Sequence, residues 1–220
     1  MADSRNVKRE RIARRIAREI PDDSIVNLGI GIPTLVADFI PENKGILLHS
    51  ENGFIGLGPA PAAGTESPEL VNPGGAPVSI VPGACFFDSA MSFSIIRGGH
   101  LDYTVLGAFE VDEKGNLANY MIPGKLVPGM GGAMDLVAGS KKVIIAMEHV
   151  SKNSAPKILK RCTLPLTAKG EVDLIVTDMA FMRVTAKGLV LEEIAEDTAV
   201  GEVIKNTGAK LHIADNLGRF

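Results

Sequence analysis

The sequence predicts an α/β protein whose mostly parallel sheet is covered by helices on both faces, a three-layer α/β/α arrangement. Three observations carry this reading. Short, nearly uninterrupted apolar runs recur along the chain, as expected of strands buried on both sides. Helical periodicity or long connections separate these runs, and crossovers between parallel strands require such spacing. No linker, internal repeat or low-complexity tract divides the 220 residues, so a single domain, 1–220, is expected.

The elements follow in order. Residues 3–20 read as a helix: Ile12, Ile16 and Ile20 recur every four positions, with Ala13 and Ala17 beside them. Arg9, Arg11, Arg14, Arg15 and Arg18 fill the other side, read as a solvated outer face. Pro21 ends the helix. Residues 24–28 form a short strand that runs into Gly29-Ile30-Gly31-Ile32-Pro33, and a helical stretch over 34–40 begins behind Pro33. A second buried strand is expected at 46–49, followed at once by Ser50-Glu51-Asn52-Gly53. The Gly-, Pro- and Ala-rich stretch 56–75, which holds Glu66 and Glu69, has no periodicity and reads as a loop. A strand at 78–81 precedes a helix at 88–96, N-capped by Asp88 and stopped by Gly98-Gly99. Residues 103–109 read as a central strand, 112–115 as a turn and 142–147 as another apolar strand. Further strands are expected at 174–177, 181–184 and 189–191. A last helix follows at 198–206, with Gly208 as its C-cap.

Composition narrows the function classes. With 45% hydrophobic and 22% charged residues, the chain builds a core rather than remaining disordered. A net charge of −3 argues against general nucleic-acid affinity. No apolar run reaches the ~18 residues that span a bilayer, and the polar N-terminus carries Asp3, Glu10 and Glu19, unlike a secretory or transit segment. Cys85 and Cys162 cannot make a disulfide framework or a four-cysteine zinc site, and they read as small core residues. A soluble, cytoplasmic protein with no membrane or nucleic-acid partner is expected. The 24 glycines stand beside only ten aromatics, 8 Phe and 2 Tyr, so they are read as shaping turns where an α/β fold places its chemistry.

Three places carry chemical potential. Gly29-Ile30-Gly31 opens like a dinucleotide fingerprint, but Thr34 replaces the third glycine, leaving either plain turn geometry or a loop whose N–H groups face a substrate oxygen. Glu51 follows an apolar strand in a turn sharpened by Asn52-Gly53. It is placed for nucleophilic or acid–base work, or is simply an exposed turn residue. The run Gly129-Met130-Gly131-Gly132-Ala133-Met134 reads as an anion- or oxyanion-binding loop or as a structural turn. It lacks the Lys-Ser/Thr of a P-loop. His49, His100, His149 and His212 show no ligand spacing, so no metal site is expected. Ser50 and Ser89 lack a nucleophile-elbow frame.

Taken together, several strings are more specific than any one alone: VNLGIGIPT (26–34), SENGFIGLGP (50–59), SFSIIRGGH (92–100), GNLANYMIPG (115–124), GMGGAMDL (129–136) and CTLPLT (162–167). In this order they closely resemble the B-type subunit of the class I, 3-oxoacid type CoA-transferases, from about Arg11 to Gly208. The resemblance implies the CoA-transferase (NagB/RpiA-like) fold and a two-step exchange with Glu51 as nucleophile. Glu51 attacks an acyl-CoA, an acyl anhydride and CoA thiolate form, and a glutamyl-CoA thioester then passes CoA to a second carboxylic acid. It assigns Gly132 as oxyanion donor and places Asn27, Gly29, Gly31, Ser50, Asn52, Gly53 and Gly131 around the substrate. It implies no cofactor, with coenzyme A acting as a substrate. It also implies a CoA-transferase A-type subunit as partner in an A2B2 heterotetramer, with the apolar stretch 121–134 as a contact. Tyr120 and Pro128 depart from the family pattern, where Trp and Lys are usual. An acyl-CoA hydrolase and a non-catalytic ligand-sensing module on the same fold are the competing readings.

Overall fold

The computed structural model describes residues 2–127 and 129–220, with side chains from Arg5 onward. The chain opens with α1 (Ala2–Glu19), then β1 (Ile25–Leu28), a 3-10 stretch Pro33–Phe39, β2 (Leu47–Ser50), β3 (Phe54–Leu57) and β4 (Ile80–Phe86). After α2 (Ser89–Arg97) come β5 (Leu101–Leu106), β6 (Glu110–Asp112), β7 (Leu117–Ala118), α3 (Ala133–Gly139) and β8 (Ser140–Ala146). The remainder is β9 (Ile158–Leu159), β10 (Leu174–Val176), β11 (Ala180–Thr185), β12 (Gly188–Ile194), α4 (Val200–Asn206) and β13 (Leu211–Arg219).

Ten strands form one sheet in the order β13-β12-β11-β10-β8-β5-β1-β2-β3-β4, and β7-β6-β9 form a small second sheet. The five central strands, β10 to β2, pair in parallel. β8 shows why its second half, Val143 to Ala146, is continuously apolar. Val143 and Ile145 enter one core cluster while Ile144 and Ala146 enter the other, so both faces of the strand are covered. On one face, Ile12, Ile16 and Ile20, all fully buried, pack with Val26, Val36, Ile144 and Phe181. Each such isoleucine contributes about 1.5–3 kcal/mol of burial. On the other face lie Ile96 of α2, Leu136 and Val137 of α3, Val203 of α4 and the small sheet's Val111, Leu117 and Ile158.

Several expectations are met closely. α1, α2 and most central strands fall where periodicity put them, although β5 runs Leu101–Leu106 rather than over 103–109, and the Asp88 carboxylate accepts from the Met91 N–H as an N-cap should. Others are corrected. β3 starts inside a segment not read as strand and takes in Gly56 and Leu57 from the expected loop; its pairing with β4 changes register between Ile55, opposite Cys85, and Leu57, opposite Ile80, with the extra residues on β4. β4 runs from Ile80 to Phe86 rather than over 78–81. Gly208 is not a helix cap: α4 gives way at Thr207 to extended backbone, and the Gly208 N–H donates to Ile158 O as part of a bridge to Leu159. β13 escaped notice because it is an edge strand whose polar residues mask any alternation. Cys85 is exposed on β4 rather than buried in the core, and Cys162 is half-buried, its thiol pushed up to about 12 by burial and by Asp112 and Glu110.

The arginine face of α1 is also not a solvated surface throughout. Arg15 is only 7% exposed. Its guanidinium bonds Glu193 at 2.8 Å and Glu19 at 3.0 Å and lies 3.8 Å over the Phe181 ring. Arg11 forms a bidentate pair with Asp197 at 2.7 and 2.8 Å. Two of the arginines therefore tie the first helix to the far end of the chain.

Candidate active site

Parallel strands end at a common edge, and that edge here opens into a cavity of about 1050 Å³. Leu28, Leu106 and Ala146, the last residues of β1, β5 and β8, all line it. So do Glu51, just beyond β2, and the loop 129–133 that leads into α3.

The turn carrying Glu51 is fixed by its neighbours. The Gly53 N–H donates to Ser50 O at 3.0 Å and the Phe87 N–H to Gly53 O at 2.9 Å. Gly53 has φ +129°, and a Cβ there would collide with the Phe87 carbonyl oxygen, so both conformation and space require glycine. The Ser50 hydroxyl donates to Asn52 Oδ1 at 2.6 Å, and Asn52 Nδ2 donates to Val71 O at 2.7 Å. Ser50 and Asn52 thereby hold the turn that presents Glu51, and neither they nor Gly53 is on the cavity wall.

A buried relay supports the same turn from below. Ser92 of α2, fully buried, donates its hydroxyl proton to the Glu51 carbonyl oxygen at 2.8 Å. The Ser92 hydroxyl oxygen also lies 3.2 Å from His49 Nε2, so that nitrogen carries the hydrogen. His49 Nδ1 then accepts from Asn27 Nδ2 at 3.3 Å, and the Asn27 amide also reaches His49 O at 3.2 Å. Burial lowers the His49 pKa to about 4, which keeps the ring neutral and this pattern intact. The Asn27 side chain, 2% exposed, is taken up by the relay and does not face the cavity as its assignment to substrate binding expected.

Gly132 closes the arrangement from α3. It is the residue before the helix, at φ −82° and ψ 5°. It lies against the Glu51 carboxylate, since a Cβ placed there would sit 2.6 Å from Glu51 Oε2, and its backbone N–H acts to lower the Glu51 pKa. Burial raises the Glu51 pKa above the ordinary glutamate value, the Gly132 N–H holds it down, and the nearby Asp135 charge raises it further. The outcome is a partly desolvated carboxylate aimed at an N–H donor. Such a group is more reactive than one in water, and the donor is already in place for negative charge on an oxygen.

The structure brings Glu51, Gly29, Gly131 and Gly132 to one cavity. The Gly29 N–H donates to Val105 O at 2.8 Å, so that group is committed to the sheet and not directed at a ligand. Gly31, at φ +93°, shapes the loop behind the exposed wall residue Ile30. Of the two departures from the family pattern, Tyr120 follows the wall residue Asn119, and Pro128 lies outside the described residues. Sequence reasoning assigned no role to His49, Ser92 or the wall residue Lys157. Ser92 opens one of the six specific strings, and His49 immediately precedes another, which was the available signal. Among the described residues no group of three or more His, Cys, Asp or Glu side chains is arranged to hold a metal ion. Among them, too, no helix is long and apolar enough to cross a membrane.

An α/β sheet with a glutamate and a glycine N–H meeting at its carboxyl edge defines a candidate acyl-transfer site. Comparison with known proteins agrees. Residues 9–206 match the family model for Coenzyme A transferase. The chain is 55% identical over 209 residues to the beta chain of the acetate CoA-transferase of Escherichia coli (strain K12), spanning 95% of each chain. It is 46% identical over 209 residues to the B-type subunit of the probable succinyl-CoA:3-ketoacid coenzyme A transferase of Bacillus subtilis (strain 168), spanning 95% of this chain and 97% of that one. It is 49% identical over 212 residues to the mitochondrial succinyl-CoA:3-ketoacid coenzyme A transferase 2A of Rattus norvegicus. That match spans 96% of this chain but only 41% of the longer rat protein. Among solved structures, the acyl-CoA transferase YdiF apoenzyme of Escherichia coli O157:H7 superposes with a TM-score of 0.78 at 24% identity, over 97% of this chain and 43% of that one. Glutaconate coenzyme A-transferase of Acidaminococcus fermentans gives 0.72 at 18% identity, over 96% and 88%. These two likenesses show the fold. The chain belongs to the coenzyme A transferase family. It is a CoA-transferase enzyme of the B type, the type to which the Escherichia coli and Bacillus subtilis chains belong.

Proposed function

We propose that this chain moves CoA between an acyl-CoA and a short-chain carboxylate or 3-oxocarboxylate through a covalent thioester on Glu51. The observation that carries the reading is the Glu51 carboxylate lying against the backbone of Gly132 on a cavity wall.

The steps balance without an added reagent. A Glu51 carboxylate oxygen attacks the thioester carbonyl carbon; the C–S bond breaks and CoA leaves as thiolate. The product is an acyl-glutamyl anhydride. The thiolate then attacks Glu51 Cδ, the anhydride C–O bond breaks, and the first carboxylate departs. Glu51 is now a glutamyl-CoA thioester. A second carboxylate reverses both steps and leaves as the new acyl-CoA. Each attack places negative charge on a carbonyl oxygen, and a preorganised N–H such as that of Gly132 lowers the barrier by roughly 3 kcal/mol. Gly131 and the loop 29–31 shape the space beside the reacting carbon, and Ser50, Asn52, Gly53 and Asn27 hold Glu51 in register. No cofactor enters the scheme; coenzyme A is a substrate.

The partner in this reading is a CoA-transferase A-type subunit, in an A2B2 heterotetramer. The naming of the Escherichia coli and Bacillus subtilis relatives as subunits supports it, as does the greater length of the rat protein. So do Leu126, Val127 and Met134, which stay exposed within the apolar stretch 121–134. The test is an exchange assay on the chain co-expressed with its A-type partner, across acetate, butyrate, acetoacetate and succinate. Release of free CoA that ignores the added acid would replace this reading with a hydrolase.

A further inference from the structure

The cavity that holds Glu51 is also lined by a second set of polar and charged residues. Glu148, Ser151, Lys152, Ala155 and Lys157 line it, joined by Arg5 from α1. Two carboxylates in this region are already matched: Arg5 pairs with Glu148 at 2.9 Å and Lys8 with Asp178 at 2.8 Å. Lys157 is not. Its main chain is anchored, since the Val111 N–H donates to Lys157 O at 3.0 Å. Its half-buried side chain takes part in none of the ion pairs among the described residues. Burial lowers its pKa to about 8 while Glu148 and Asp178 act to raise it, so the ammonium still carries its charge at neutral pH. A partly buried cation without a close counter-ion is costly until an anion completes it.

We propose that Lys157 binds an anionic oxygen group of the substrate in the cavity that contains Glu51. The proposal rests on the reading of that cavity as the CoA-transfer site. Neighbouring strands lie about 4.8 Å apart, and β2, β1, β5 and β8 are consecutive in the sheet. The loop 147–157 therefore leaves the sheet at β8, roughly 14 Å from β2, the strand that ends beside Glu51, and the Lys157 N–H returns to His149 O at 3.4 Å close to that exit. A short monocarboxylic acyl group does not cover that span. Two anions can: a phosphate at the far end of the pantetheine arm of CoA, or the distal carboxylate of a dicarboxylyl substrate met partway by the flexible lysine stem.

The test uses the complex with the A-type partner and compares the wild type with Lys157→Met and Lys157→Arg, using acetyl-CoA and succinyl-CoA as donors. A CoA phosphate as ligand predicts that Lys157→Met raises KM for both donors about tenfold, with kcat nearly kept. A distal carboxylate predicts the same rise for succinyl-CoA alone. In either case Lys157→Arg, which keeps the charge, recovers most of the affinity. KM values within twofold of wild type for both donors overturn the proposal, and so does a loss confined to kcat. Thermal melts of each complex report whether a variant has lost its fold, and Lys157→Arg serves as the second readout if Lys157→Met is unstable. Wild-type exchange and adduct formation at Glu51 are followed in parallel. Their failure removes the reading of the cavity and this proposal with it, whereas their presence with unchanged KM removes Lys157 alone.

Discussion

A methyl group placed on Gly132 would lie 2.6 Å from Glu51 Oε2, so the space beside the carboxylate belongs to a residue without a side chain. The backbone of Gly132, at φ −82°, suits any residue, and what the methyl meets is the movable end of a side chain. Gly132→Ala should therefore fold, retain its N–H and displace the carboxylate. We expect kcat to fall about 10²-fold, as for loss of one oxyanion-type contact, with the thermal midpoint nearly unchanged. Steady-state kinetics beside a melting curve check this, and an unchanged kcat would mean the contact is incidental.

Ser92 acts on the nucleophile only through the chain. Ser92→Ala removes the donor to Glu51 O and the acceptor for His49 Nε2 without adding bulk. Two buried polar atoms lose their partner, which costs about 1–3 kcal/mol. We expect kcat to drop about tenfold, with KM within a factor of two, because the turn and not the binding surface is loosened. A variant destabilised by that amount yet fully active would show that the relay supports only the fold.

The raised Glu51 pKa has a consequence for stability. A carboxyl group whose folded pKa is raised prefers its neutral form in the fold. It is tolerated in full below the ordinary glutamate value, and its charge becomes destabilising as pH rises through the folded value. Glu51→Gln mimics the neutral form and can still accept from Gly132. The variant should melt at a higher temperature than wild type at pH 7.5, and the difference should shrink towards pH 4. Differential scanning at the two pH values reads it directly.

His49 and His149 shift the other way. Burial lowers both to about 4, and His149 is held between Thr177 and Thr207 at 2.8 and 3.0 Å. Between about 4 and 6.5 the unfolded chain binds protons that the folded chain does not, so stability falls as pH is lowered through that window. Urea midpoints taken from pH 7 to pH 4.5 should decline steadily. A flat profile would mean that neither imidazole is held neutral.

Arg15 tests how α1 is attached. Arg15→Met removes the partner of Glu193 and Glu19, whose side chains are 26% and 23% exposed, so solvent relieves part of the loss. A destabilisation of about 2–3 kcal/mol is expected, below the range for fully buried pairs. Chemical denaturation measures it.

Much of this was legible in the sequence for identifiable reasons. β8 and β10 are apolar on both faces, so they read as buried strands without help. α1 and α2 declare themselves through spacing and a capping aspartate. The Glu51 turn is local, and Asn52-Gly53 marks it. What the sequence hid depends on distant contacts. Arg15 looks like any other surface arginine until Glu193, far along the chain, comes beside it. β13 is too polar to show a strand period, and β3 is only four residues long with a glycine within it. The family resemblance placed Asn27 around the substrate. Only the pairing of Asn27 with His49 across β1 and β2 shows that its amide faces the protein interior.

The most direct measurement is the mass of the peptide containing Glu51 after the complex with the A-type partner is incubated with acyl-CoA and treated with borohydride. The account predicts reduction of a glutamyl-CoA thioester at Glu51 to the alcohol, with loss of exchange activity, and no such change in Glu51→Gln. An unmodified Glu51 in an enzyme that is still turning over would contradict it.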